Sequence, residues 1–149
     1  MIRLAEPADV PAINHLRLQV LENQLSNPDL VTEAMTTEAI TNRGRGWVFE
    51  KDDEISGFSI ALKGSQNPAD TDYAEPCIWA LFVHPQHEAQ GVGHALYRQA
   101  EQWLWSLGVR KIWLSTEAGT RADRFYRDRG WSVAGELKNG DLKLELERP

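Results

Sequence analysis

Gly91 and Gly93 stand one residue apart where the sequence changes its period. Before them, Cys77-Ile78-Trp79-Ala80-Leu81-Phe82-Val83-His84 is a continuous apolar, β-branched and aromatic run that Pro85 stops. Such a run predicts a strand buried on both faces. After them, Val92, Leu96, Ala100, Trp103, Leu104 and Leu107 recur at the spacing of a helix with one buried stripe, and Gly108 stands where a C-cap glycine belongs. The first N–H groups of a helix have no partner within it, and the helix dipole favours negative charge there. Glycine lets a ligand approach those groups, so the loop is a candidate phosphate cradle. The same glycines also suit an ordinary tight turn, and these residues alone leave both readings open.

The rest of the chain supplies the elements that would position this loop. Ile2 to Ala5 reads as a first strand. Asp9 to Glu22 carries Val10, Ile13, Leu16, Leu18, Val20 and Leu21, a helical pattern, with Pro7 and Asp9 as start signals. Asn27-Pro28 marks a break, and Thr32 is an N-cap for a second helix to about Arg43, which Gly44 and Gly46 end. Trp47–Glu50 and Ile55–Leu62 flank a turn at Lys51-Asp52-Asp53-Glu54 and predict an antiparallel hairpin. Gly64 to Glu75 is a polar surface loop. Val109 to Thr116 is a further buried strand, expected parallel to the Cys77 strand because a helix joins them. Thr120 to Arg129 is an amphipathic helix ended by Gly130, and two strands, 131–136 and 142–146, alternate around Asn139-Gly140, a strong hairpin signal.

Composition sets outer bounds. The 149 residues, 42% hydrophobic and 26% charged, are read as one domain spanning 1–149 with a proper core. A net charge of -6 with scattered Lys and Arg argues against a nucleic-acid surface, and the six tryptophans lack the interleaved basic residues of a base-stacking platform. The single Cys77 allows no internal disulfide and no cysteine cluster for a metal; it reads as a small buried hydrophobe rather than a nucleophile. There is no apolar signal core and no run of membrane-spanning length, so no membrane association and a cytoplasmic location are expected.

Two stretches resemble a known family. Val83-His84-Pro85 followed by Gln90-Gly91-Val92-Gly93-His94-Ala95-Leu96 is similar to the acyl-CoA-binding motif of the GNAT superfamily of N-acetyltransferases: a strand ending Val-x-Pro, then Arg or Gln, two residues, Gly, one residue, Gly or Ala. Ala122-Asp123-Arg124-Phe125-Tyr126-Arg127-Asp128-Arg129-Gly130-Trp131 resembles the family's second motif, A-x-x-F/Y-Y-x-x-x-G-F/W, in the family's order and at its separation. Two positions depart from the pattern. Glu88 stands where Arg or Gln is usual, and its carboxylate is expected to face solvent while backbone N–H groups bind. Gly119 stands where an Asn often contacts the cofactor.

The resemblance implies an α+β fold: a central mixed, mostly antiparallel twisted sheet of about seven strands flanked by about four helices, with the fourth and fifth strands splayed. It implies acetyl-CoA as cosubstrate without a metal, a small-molecule or peptide amine as acceptor, and allows a homodimer. Phe82, Val83 and His84 would meet the pantetheine arm, Gln90, Gly91, Val92, Gly93, His94 and Ala95 the diphosphate, and Tyr126 would lie near the sulfur and donate its proton. A phenol with a pKa of about 10 stays protonated at neutral pH. The general base is open among Glu75 at the head of the central strand, His84 at its end and Glu117 after the next strand. The N-terminal helical pair would border the acceptor pocket. There His15, Arg17, Glu22, Asn23 and Ser26 either face the acceptor or form a solvated helix face.

Acyl transfer needs a neutral amine, a held and polarised thioester carbonyl, and a proton for the leaving thiolate. Direct transfer in a ternary complex is expected, since no activated Ser or Cys nucleophile is apparent. A non-catalytic acyl-CoA-binding or sensor module is the alternative. A dinucleotide-binding unit fits worse, because Leu96 stands where its third glycine would be, and no Gly-Lys-Ser/Thr forms a Walker loop.

Overall fold

The computed structural model describes residues 1–19, 31–64 and 74–149, with only the backbone of 88–90. The Asn27-Pro28 break, most of the 64–75 loop, Glu22, Asn23 and Ser26, and the side chains of Glu88 and Gln90 lie outside the described residues.

The strands are β1 (Ile2–Leu4), β2 (Gly44–Lys51), β3 (Glu54–Leu62), β4 (Cys77–Val83), β5 (Lys111–Thr116), β6 (Ser132–Glu136) and β7 (Leu142–Glu147). They form one seven-stranded sheet in the order β1-β2-β3-β4-β5-β7-β6. Every neighbouring pair is antiparallel except β4 and β5, which are parallel. The helices are α1 (Val10–Gln19), α2 (Glu33–Glu38), α3 (Val92–Ser106) and α4 (Arg121–Arg127). This is the mixed, mostly antiparallel architecture expected from the sequence.

Strand alternation sorts the core into two layers. Val10, Ile13 and Leu16 of α1, with Ala39 and Ile40 after α2, pack against Val48, Phe58, Ile60, Leu62, Ala80 and Phe82. Val92, Leu96, Ala100 and Leu104 of α3 pack on the opposite face with Ala61, Ile78, Ile112, Leu114 and Tyr126 of α4. The stripe of α3 follows the sequence spacing from Val92 to Leu104, each fully buried Val or Leu contributing roughly 1.5–3 kcal/mol. Trp103 is half-buried, and Leu107, past the helix end at Ser106, is exposed.

Three local departures from the sequence reading have physical causes. Gly44 and Gly46 begin β2 instead of ending a helix, because Gly44 pairs with Leu62 and Gly46 with Ile60. The chain ahead of them widens into a π-helical turn at Ala39–Arg43. The β2–β3 turn narrows to Asp52-Asp53, both left-handed at φ 54° and 63°, as a tight hairpin requires. Leu18 of α1 is exposed, because two residues after Leu16 it falls on the far side of the helix from the buried Val10, Ile13 and Leu16.

Candidate active site

Trp79 is the pivot of the site. Ile60 pairs with Ala80 and Ala61 with Ile78, so Trp79 is the extra residue of a β-bulge. The bulge resets the alternation, placing Trp79, Ala80 and Phe82 on the α1 face. On its other edge β4 meets β5 at one bridge, Cys77 with Trp113, next to a bond from Trp113 N–H to Pro76 C=O at 3.2 Å. Beyond that bridge the strands part. A crevice of about 190 Å³ opens between Ile78–Phe82 on one side and Leu114–Thr116 on the other. A bulge bends and twists its strand, which accounts for the divergence, and the facing backbone groups of β4 become available to a ligand's amides.

At the end of β4 the chain turns into the predicted loop. The His84 N–H donates to Ser56 C=O at 2.7 Å, and its Nδ1 accepts from Gln86 N–H at 3.2 Å, capping the 3₁₀ turn Pro85–Gln90. Gly91 then takes φ 78°, ψ 3°, a left-handed conformation that favours glycine. The first backbone bond of α3 runs from Ala95 N–H to Gly91 C=O at 3.1 Å. The N–H groups of Val92, Gly93 and His94 therefore precede the helix's own ladder. A Cβ built on Gly91 would meet nothing within 4 Å, and one on Gly93 only Val83 at 3.5 Å. This opening is a place where a phosphate could approach the amides.

Positive charge stands beside it. Arg129 Nε and Nη2 lie 3.3 and 3.1 Å from His94 Nδ1, and the Arg129 Nη1 donates to Phe125 C=O at 2.9 Å. Its guanidinium sits 3.5 Å above the Phe125 ring. Neither motif reading singled out this cation; its position three residues after Tyr126 becomes informative only once α4 packs beside the α3 terminus.

Tyr126 lines the crevice on the α3–α4 face and is 6% exposed. Its ring packs among Tyr97, Phe125 and Trp131, with Trp131 Nε1 donating to the Tyr97 hydroxyl at 2.9 Å. Burial pushes the Tyr126 phenol well above its usual pKa, so it stays protonated. Thr120 caps α4 by accepting from Asp123 N–H at 3.2 Å, and the Asp123 carboxylate accepts from Gly119 N–H at 2.9 Å. Gly119, at φ 78°, thus serves the entry to α4.

The base candidates fall in different places. Glu75 precedes the bridged, closed end of β4, away from the divergence. His84 caps the turn, and Glu117 follows the open end of β5. None of the three lines the crevice, whereas Asp141, from the β6–β7 turn, does. Asp141 follows the Asn139-Gly140 turn and carries no sequence signal of its own; β7 pairing, Leu142 opposite Thr116, brings it to the rim. Arg17 is buried beneath α1, not solvated, and lines the crevice from the α1 face, while His15 is exposed. Cys77 is buried with its thiol pushed up to about 12, which suits a structural role.

The sequence profile of the acetyltransferase (GNAT) family matches residues 12–131. The chain belongs to the GNAT acetyltransferase family. Solved structures agree on the fold. PaiA N-acetyltransferase from Thermoplasma acidophilum, in complex with coenzyme A, has a TM-score of 0.78 at 12% identity, with 99% of this chain and 98% of that chain covered. Ribosomal-protein-alanine N-acetyltransferase from Brucella melitensis gives 0.76 at 19%, covering 99% of each chain. An N-acetyltransferase from Staphylococcus aureus gives 0.75 at 19%, covering 99% and 97%. The comparison with curated proteins finds no match.

Proposed function

We propose that this GNAT protein is an N-acetyltransferase that moves an acetyl group from acetyl-CoA to an amine by direct transfer in a ternary complex. The observation that carries the reading is the divergence of β4 from β5 beside an open helix N-terminus, with a buried phenol on the same face. Family membership and the coenzyme A held by the Thermoplasma acidophilum neighbour support it. The N–H groups from Gly91 to Ala95 would hold the diphosphate, aided by Arg129. The parted edge of β4, through Phe82 and Val83, would pair with the pantetheine amides and aim the thioester into the crevice.

The amine lone pair attacks the thioester carbonyl, the C–S bond breaks, and the sulfur takes a proton from Tyr126. Burial keeps that proton on the phenol at rest. The same dry surroundings make the departing thiolate more basic, so the transfer is driven as charge develops. The proton lost by the amine leaves through the acidic rim, where Asp141 stands and Glu117 follows β5, to water, and a proton from water restores the Tyr126 phenol. Glu75, at the closed end, takes no part, and His84 acts by holding the turn that leads into the cradle.

Thiol release from acetyl-CoA against a panel of amines tests the reading. Tyr126→Phe should lower turnover by about 10²–10⁴-fold, the usual contribution of a positioned proton donor, with coenzyme affinity nearly unchanged. Coenzyme binding with no turnover on any amine would favour the sensor module instead.

A further inference from the structure

We infer that the acceptor is a small zwitterion, an amine with a carboxylate a few bonds away, and that Arg17 holds the carboxylate. This rests on the transfer reading and narrows its acceptor. The cradle and Tyr126 occupy the α3–α4 face of the sheet, so the acceptor's way in is the α1–α2 face. Arg17 stands on that face. It is 6% exposed, yet its side chain lines the crevice. Its guanidinium carbon lies 5.2 Å from the ring centres of both Trp79 and Phe82 and 5.5 Å from that of Phe58. Trp79 takes part because the β4 bulge turns it to this face.

Burying a charge is costly, and an apolar side chain would fill the same space at least as well. At the crevice wall this guanidinium is placed to meet an anionic group of the acceptor. The three aromatic faces stabilise the cation and fix its plane. A guanidinium has five N–H donors in a rigid fork, and a carboxylate engages two of them at once while others keep protein contacts. Across the crevice, on the β5 side, Asp141 is anchored by its own N–H bond to Asn139 Oδ1 at 3.0 Å. A carboxylate at Arg17 and an ammonium turned toward Asp141 match a molecule of amino-acid size, which suits a crevice of about 190 Å³.

The test compares the proteinogenic amino acids, each paired with its α-carboxamide, as acceptors for thiol release from acetyl-CoA. The carboxamide has the less basic amine and so more of the reactive neutral form. A preference for the acid therefore requires recognition. The acid should win in kcat/KM by roughly tenfold to a hundredfold for the best pair, the scale of a charged hydrogen-bonded contact. Arg17→Gln should abolish that preference through KM, and Arg17→Lys should retain part of it, while the KM for acetyl-CoA stays put in both. Turnover indifferent to the carboxylate overturns this inference and leaves the transfer reading standing. An equal loss on acid and amide in Arg17→Gln makes Arg17 structural and also overturns it. No turnover with any member overturns this inference, and the wider amine panel then decides the transfer reading separately. If the variants fail to fold, the acid-to-amide ratio of the unaltered protein decides alone.

Discussion

Gly91 is the residue on which coenzyme binding turns. Its φ of 78° costs an L side chain about 1–2 kcal/mol, and the space beyond its Cα is open. Gly91→Trp should place an indole where the diphosphate would lie and abolish acetyl-CoA binding in calorimetry, with the fold retained by circular dichroism; unchanged affinity would sink the cradle assignment. Tyr126 and Arg17 stand on opposite faces of the sheet yet border one crevice. The sequence marked Tyr126 through its motif. Arg17 was legible as one of five polar residues that either face the acceptor or form a solvated helix face, and nothing local to α1 says that Trp79 and Phe82 will lie under it.

At the scale of elements, two contacts hold the machinery in register. β3 carries Gly57 directly beneath α3. A Cβ there would lie 2.9 Å from Leu96 Cδ1 and 3.2 Å from Val92 Cγ1. Gly57→Val should cost about 1–3 kcal/mol in urea unfolding and weaken coenzyme binding as well, since Val92 begins the cradle. Loss of stability with full affinity would show that the α3 terminus does not depend on this packing. At the other end, Arg3 of β1 donates to both Asp9 oxygens, at 2.8 and 2.9 Å, and ties the sheet edge to the start of α1. The Arg3 guanidinium, with the Glu6 N–H, holds the Asp9 carboxyl below the usual carboxylate range. An unfolded Asp9 thus binds its proton more readily. The contribution is complete above about pH 4 and disappears as pH falls through the lower, folded value. Arg3 is 34% exposed, so screening limits the effect to about 1 kcal/mol. Asp9→Asn should lose that amount at neutral pH, and the gap from the unaltered protein should close in acid. A gap that persists at pH 2 would assign the loss to packing instead.

Across the whole molecule, the sheet is two halves, β1–β4 and β5-β7-β6, joined at the Cys77–Trp113 bridge. A coenzyme lying along the crevice would touch both. Acetyl-CoA at a hundred times its Kd should add about 2.7 kcal/mol, which at about 2–4 °C per kcal/mol for this size raises Tm by several degrees. An unmoved Tm in millimolar acetyl-CoA would count against a site that spans the halves. Periodicity placed the elements, and the Val-His-Pro and glycine spacing placed the cradle, because both rest on bonds among near neighbours in the chain. The bulge at Trp79, the parting of β4 from β5, the approach of Arg129 to His94 and the placing of Arg17 and Asp141 on one crevice depend on residues far apart in sequence. Side chains so distant are brought together by strand register and helix packing, which no local pattern encodes, and so only the tertiary structure decided which side chains join the motif-marked Tyr126 around the crevice.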